Sequence, residues 1–242
     1  MKRNSKSTAR PKRKHGTEGF LEEYLADFAT QAPDLLAPEL QAFNTRRLND
    51  LWKVSCDRAD AMTPVPFWGI VWPGSRALAR YILDNREKFH GRRILDVGTG
   101  SGLAAIAAAS VGARVTGIDI DPMSVELAAH TAKINGVENE CDWLIGDILK
   151  LPEATLAQYE LILAGDVFYE EKFARQAIDF LRNAREYNLD NLLADPGRTH
   201  RPRTDATGQN EYRVKTLAEY RVPVYVDIEG IKERTTTLLS IL

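Results

Sequence analysis

From Arg93 onward the apolar positions fall in short blocks separated by longer, mixed stretches. Blocks at 93–98, 113–119, 142–146, 160–166 and 191–195 are too short for helices, and their apolar runs predict buried strands. The intervening stretches 102–111, 122–135 and 170–187 are long enough for helices, whereas a loop follows 142–146. Such alternation demands a mostly parallel sheet with right-handed crossovers. A polar loop over 196–210 and a helix over 211–219 come next. Two strands near 222–228 and 234–241, joined through Glu229-Gly230, then predict an antiparallel hairpin at the sheet edge.

The earlier part of the chain has helical spacing. Leu21, Tyr24, Leu25 and Phe28 share one face, and Leu40, Phe43, Arg47, Leu48 and Leu51 follow a similar rhythm. Gly16 to about Trp52 is therefore expected to form two helices broken near Gln31–Pro38, either covering a site or padding the sheet. A loop from Asp60 to Pro66 and a helix from Arg76 to about Asn85 lead into the first strand. The expected fold class is α/β: a doubly wound, seven-stranded, mostly parallel sheet with an antiparallel last strand, plus N-terminal helices. The division follows as a basic tail (1–15), a helical extension (16–65) and a main domain (66–242).

The first core strand carries the chemistry. Ile94-Leu95-Asp96-Val97-Gly98-Thr99-Gly100-Ser101-Gly102 is an apolar strand holding an acid, followed by glycines at alternate positions and an alanine-rich helix. Glycine there lets the backbone turn sharply and lie against a ligand. A dinucleotide fingerprint needs its third glycine where Leu103 stands, and a phosphate-binding P-loop needs a lysine that is absent. A carboxylate beside the loop repels pyrophosphate and suits a cationic cofactor with a free amino group. S-adenosylmethionine, with a sulfonium and an ammonium, is such a cofactor.

Three more acids close apolar strands. Asp119 ends the second strand, where an acid grips a ribose diol. Asp121, just before Pro122, suits the N-cap of the next helix. Asp147 follows the third strand and could accept from an adenine amino group, and Gly165-Asp166 closes the fourth. One such acid is usually a cap; four at strand ends line the crevice where open α/β sheets bind ligands.

Charge alters the picture at one end only. Residues 1–15 carry seven cations and no acid, so the net charge of −2 divides into +7 there and −9 in the rest. That tail predicts a solvated, disordered segment, with nucleic-acid binding or targeting as alternatives. An acidic body argues against a nucleic-acid enzyme. No apolar run is long enough to span a membrane. Two cysteines make no disulfide framework, and four scattered histidines (His15, His90, His130, His200) show no ligand spacing, so no metal is assigned. A bacterial cytoplasm is expected, with the mitochondrial matrix as the alternative for an acid-free basic tail.

Asp96-x-Gly98-x-Gly100-x-Gly102, Asp119 and Asp147 together resemble the motifs of class I S-adenosylmethionine-dependent methyltransferases, whose fold is a Rossmann-like seven-stranded sheet. A narrower likeness rests on three segments: Pro66-Phe67-Trp68-Gly69-Ile70-Val71-Trp72-Pro73-Gly74, Gly165-Asp166-Val167-Phe168-Tyr169 and Asp195-Pro196-Gly197-Arg198. These resemble the electron-transfer-flavoprotein β-subunit lysine methyltransferases. The resemblance implies a protein substrate, the flavoprotein β subunit, with Asp166 and Tyr169 as the catalytic pair that holds the acceptor lysine, and placement of Trp72 and Gly165 on the cofactor side. For Tyr169, Trp68 and Trp72 plain packing is the alternative. Phe168 and Tyr169 are expected to wall the lysine channel. Arg198 is expected on the same rim, pairing with Asp166 or Asp195 or meeting an acidic substrate surface.

Overall fold

The computed structural model describes residues 19–202 and 213–242, so the basic tail expected over 1–15 lies outside the described residues. Helix α1 (Phe20–Asp27) opens it, followed by the strands β1 (Ala29–Pro33) and β2 (Gln41–Thr45) and helix α2 (Leu48–Ala59). Two helices are thus present, as expected, but an antiparallel hairpin separates them where helix was expected around Leu40 and Phe43. Its cause is tertiary. Ala42 to Thr45 are buried in succession, Asn44 Oδ1 accepts from Val71 N–H, and Asn135 brackets Gln41 through both of its backbone groups. None of these partners is near in sequence.

Helix α3 (Pro73–Asp84) starts at a proline in its first turn, a position that needs no N–H. Then the alternation runs as expected, except that a one-turn helix stands within the loop expected after the third strand: β3 (Arg93–Val97), α4 (Leu103–Ser110), β4 (Arg114–Asp119), α5 (Pro122–Ile134), β5 (Cys141–Ile145), the short α6 (Glu153–Leu156), β6 (Leu161–Gly165), α7 (Glu171–Ala184) and β7 (Asp190–Asp195). Asp121 caps α5 by accepting from Met123 N–H, with Pro122 next, as its sequence signals.

The C-terminal region departs from expectation. In place of a helix over 211–219, β8 (Val214–Pro223) forms a long edge strand paired along its length with β9 (Glu233–Ile241); residues 211 and 212 lie outside the described set. Between them the expected strand end becomes a one-turn helix, α8 (Val226–Glu229), closed by Gly230 in the left-handed region. Cross-strand pairing with β9 overrides the weak local helical signal of 214–219.

The sheet order is β5-β4-β3-β6-β7-β9-β8. β3 to β7 pair in parallel and β9 runs against both neighbours, so the reversed strand is the last one, as expected. One core lies on the face covered by α3 and α4; the apolar α4 is buried at every residue from Leu103 to Ala109. The other face is filled by α7, and Phe168 is wholly buried there, so it forms core and not a channel wall. A third cluster joins α1 and α2 to α5 through Tyr24, Leu51, Trp68 and Leu127. Among the described residues no helix is long and apolar enough to cross a membrane.

The N-terminal extension is anchored by one buried ion pair. Asp34, in the β1–β2 turn, accepts from Arg76 Nε of α3 at 2.7 Å, and both side chains are essentially out of solvent. Arg76 also reaches Asn44 and lies over the Tyr225 ring.

Candidate active site

All four strand-end acids stand at the carboxyl edge of the parallel strands, but they are engaged in different ways. On the β3–β4–β5 side the partners are local. Asp96 is buried and accepts from Thr99 Oγ1 at 2.6 Å, with a further bond from Ala105 N–H at the start of α4. Burial pushes its carboxyl up to about 7, against those two bonds and with a smaller upward push from Asp119. Asp119 accepts from Gly100 N–H and Asp121 N–H, each at 3.0 Å, so the second-strand acid ties the glycine loop to the start of α5. Asp147 accepts from Leu149 N–H and pairs with Lys150, holding the turn after β5.

The glycines divide by role. Gly98, Gly100 and Gly102 all have left-handed backbones, with φ of 64°, 55° and 84°. A Cβ on Gly98 or Gly100 would meet nothing closer than 3.7 Å, so their backbone faces open space. One on Gly102 would come within 2.9 Å of Ala128 Cβ, so that glycine serves the packing of α5 and Trp143 against the loop. Gly165 is likewise a packing glycine: its Cβ would strike Ser75 N at 2.9 Å. Ile120 is 72 % exposed between Asp119 and Asp121, and Leu144 and Ile145 are exposed at the tip of β5. An approachable glycine backbone, flanked by acids and an exposed apolar rim, fits a cation that carries a nucleoside.

On the β6–β7 side the contacts are long-range. Asp166 follows β6 with a left-handed φ of 60°, unusual for a residue with a side chain. Its Oδ2 accepts from Gly74 N–H at the start of α3, and its Oδ1 accepts from Arg198 Nε at 2.8 Å and Nη2 at 2.6 Å. Burial lifts the Asp166 carboxyl to about 6; Arg198 and the Gly74 N–H oppose the lift and Asp195 adds to it. Gly74 has no room for a side chain, since a Cβ would lie 2.6 Å from both Ala194 O and Asp166 N. Asp195 is buried and turns the chain by accepting from Gly197 N–H and the backbone N–H of Arg198, while the Arg198 guanidinium pairs with Asp166. Glu229 of α8 takes the other side of Arg198 at 3.3 Å and is itself held by Arg234 at 2.7 Å.

Tyr169 is 58 % exposed, its ring 5.8 Å from Phe67 and 6.5 Å from Phe173. Trp72 donates from Nε1 to Phe67 O and lies under the Arg198 guanidinium, 5.6 Å from the ring centre. That places Trp72 beside Arg198 and Phe67, on the β6–β7 side of the rim. Trp68 packs between Phe20 and Tyr24 and is core. Phe67 was legible only as part of the aromatic segment that leads to Trp72, with no role assigned to it, whereas Glu229 and Arg234 reach the rim only through the β8–β9 connection.

Comparisons with known proteins bear on the family and the fold. A model of the family "Ribosomal protein L11 methyltransferase (PrmA)" matches residues 77–165. The electron transfer flavoprotein beta subunit lysine methyltransferase of Rattus norvegicus is 35 % identical over 193 residues, covering 78 % of this chain and 71 % of its own. The Homo sapiens protein of that name is 34 % identical, covering 76 % and 70 %. The Caenorhabditis elegans homolog is 29 % identical, covering 79 % and 83 %. Among solved structures, a chain described as a SAM-dependent methyltransferase of Streptococcus mutans superposes with a TM-score of 0.54 at 12 % identity, over 89 % of this chain and 56 % of that one, a likeness of fold alone. With two thirds or more of those rat and human relatives matched above 30 % identity, this chain is a methyltransferase that uses S-adenosylmethionine and belongs to the electron transfer flavoprotein beta subunit lysine methyltransferase family.

Proposed function

We propose that this enzyme methylates a lysine side chain of the electron transfer flavoprotein beta subunit, with Asp166 and Tyr169 holding the acceptor. The observation that carries the reading is the buried Asp166 carboxylate at the end of β6, with the half-exposed aromatic ring of Tyr169 three residues later on the same rim. The relatives' names supply the acceptor. Asp96, Gly98, Gly100, Asp119 and Asp147 hold the cofactor, with Trp72 on its acceptor side, while Gly102 and Gly165 shape the pocket by close packing. Bound there, S-adenosylmethionine supplies an electrophilic methyl group.

What the chain itself must do is align and deprotonate. A lysine ammonium is protonated at neutral pH and must lose a proton before it can attack. Asp166 attracts the ammonium and orients its nitrogen, and the neighbouring positive charge of the cofactor lowers the lysine pKa by like-charge repulsion. Water takes the proton, so no dedicated base is needed. Tyr169 adds a ring face against the cationic stem, worth about 0.5–2 kcal/mol.

A ribosomal-protein acceptor is the second reading, favoured by the family match. That match ends at Gly165, one residue before Asp166, so it bears on the cofactor half and not on the acceptor half. Intact-mass analysis of purified electron transfer flavoprotein, incubated with the enzyme and S-adenosylmethionine, tests the assignment. Mass steps of one methyl group on the beta subunit are expected. Asp166→Asn should slow the transfer about 100-fold while still binding cofactor. An unmodified flavoprotein, with cofactor binding confirmed, would refute the acceptor.

A further inference from the structure

Asp166 is not a free anion waiting for a lysine. A carboxylate has about four lone-pair sites. Two on Oδ1 are taken by Arg198 Nε and Nη2, and one on Oδ2 by Gly74 N–H. One site, on Oδ2, remains. The guanidinium is in turn fixed from three directions: by Asp166, by Glu229 Oε1 at 3.3 Å, and by the Trp72 ring beneath it. Glu229 is locked by Arg234 through both Nε and Nη2. Two acids and two arginines therefore form a neutral chain from β6 to β9, with Asp166 and Glu229 nearly excluded from solvent.

We propose that Arg198 is a positioning residue for methyl transfer: it pins Oδ1, keeps Asp166 a carboxylate, and leaves a single acceptor site on Oδ2 for the lysine nitrogen. The inference rests on the reading that Asp166 holds the acceptor. Its physical basis is the fixed, two-toothed geometry that a guanidinium imposes on a carboxylate and a lysine cannot. The groups that face Asp166 from each packed element are Gly74 of α3, Asp195 at the end of β7, Arg198 just beyond it, and, through Arg198, Glu229 of α8 and Arg234 of β9. Arg198 is the cation in direct contact, so its removal leaves a buried carboxylate with one N–H donor and Asp195 nearby. Such a group takes up a proton.

The test separates charge from geometry. In the cofactor-free protein labelled with ¹³C at aspartate, the carboxyl signal missing from Asp166→Asn identifies Asp166, and its midpoint is expected at about 6. In Arg198→Gln that midpoint should rise by about one unit or more, and the acid limb of kcat/KM should move with it while the cofactor Kd stays constant. Arg198→Lys keeps the charge and loses the two-toothed grip. Its midpoint should stay near that of the unmodified enzyme, while kcat falls about tenfold and KM for the flavoprotein holds. An unmoved midpoint in folded Arg198→Gln, or an unchanged kcat in Arg198→Lys, would overturn the proposal; if Arg198→Gln does not fold, the lysine variant alone decides it. The titration needs no acceptor. A flavoprotein that is never methylated would therefore refute the acceptor and leave the Arg198 result standing.

Discussion

The two halves of the carboxyl rim are built by different means. On the β3–β5 half every acid is tied within its own neighbourhood: Asp96 to Thr99, Asp121 to Met123, Asp147 to Leu149. Only Asp119 reaches further, to Gly100 in the adjacent strand's loop. On the β6–β9 half Asp195 is tied locally, to Gly197 and Arg198, but Asp166 reaches Gly74 and Arg198, and Glu229 reaches Arg198, across long stretches of chain. A half that folds on local bonds keeps its shape when distant parts move. A half that depends on long-range pairs is set by the packing of α3, α8 and the terminal hairpin together.

Four measurements press on that contrast. The largest effect is expected at Asp34, whose removal strands the buried Arg76 charge beneath the acceptor half. Asp34→Ala should lower the unfolding free energy by about 3–5 kcal/mol in a denaturant titration, and a loss below 1 kcal/mol would mean that the N-terminal hairpin is not an anchor. Next comes the pH dependence of cofactor affinity. The Asp96 carboxyl, lifted to about 7 by burial, is protonated below that pH and charged above it. A cationic cofactor favours the charged form, so its affinity must fall as pH drops; calorimetry should find binding about tenfold weaker at pH 6 than at pH 8. A flat profile would remove Asp96 from the cofactor site.

Tyr169→Ala should cost about 1 kcal/mol in kcat/KM for the protein acceptor, and Tyr169→Phe much less, because the ring face does the holding. Equal losses in both would shift the role to the hydroxyl. The smallest effect belongs to Asp147→Ala, which removes one local cap and should cost about 0.5–1 kcal/mol of stability. Its cofactor Kd decides more than its stability: no change there would leave Asp147 a structural cap and nothing else.

The same contrast explains what could be foreseen. The glycine loop, the strand-end acids and the Asp121-Pro122 cap are signals confined to a few residues, so the parallel sheet and the local geometry of its β3–β5 rim were legible. The β1–β2 hairpin was not, because Leu40, Phe43 and Leu51 fit a helical spacing and only the distant Asn135, Val71 and Arg76 select the strands. The helix expected over 211–219 failed for a similar reason, as β9 supplies the ladder that makes Val214–Pro223 a strand. Phe168 was misassigned because alternation alone cannot say which of two adjacent aromatics turns inward; it is wholly buried while Tyr169 faces out. The pairing of Arg198 with Asp166 was among the alternatives the sequence offered, but its partners Glu229 and Arg234 were invisible without the turn that carries them.

That turn has a consequence for how specificity can change. Because β9 runs against its neighbours, the connection from β8 to β9 emerges on the carboxyl rim and delivers α8 to Arg198. Insertions, deletions or exchanges there reach Glu229 and Arg234 without entering the glycine loop or any parallel crossover. On the proposed reading, the residues that hold the reagent and those that frame the target lie on separate stretches of chain, so that a lineage, or a protein engineer, can redraw the second while inheriting the first intact.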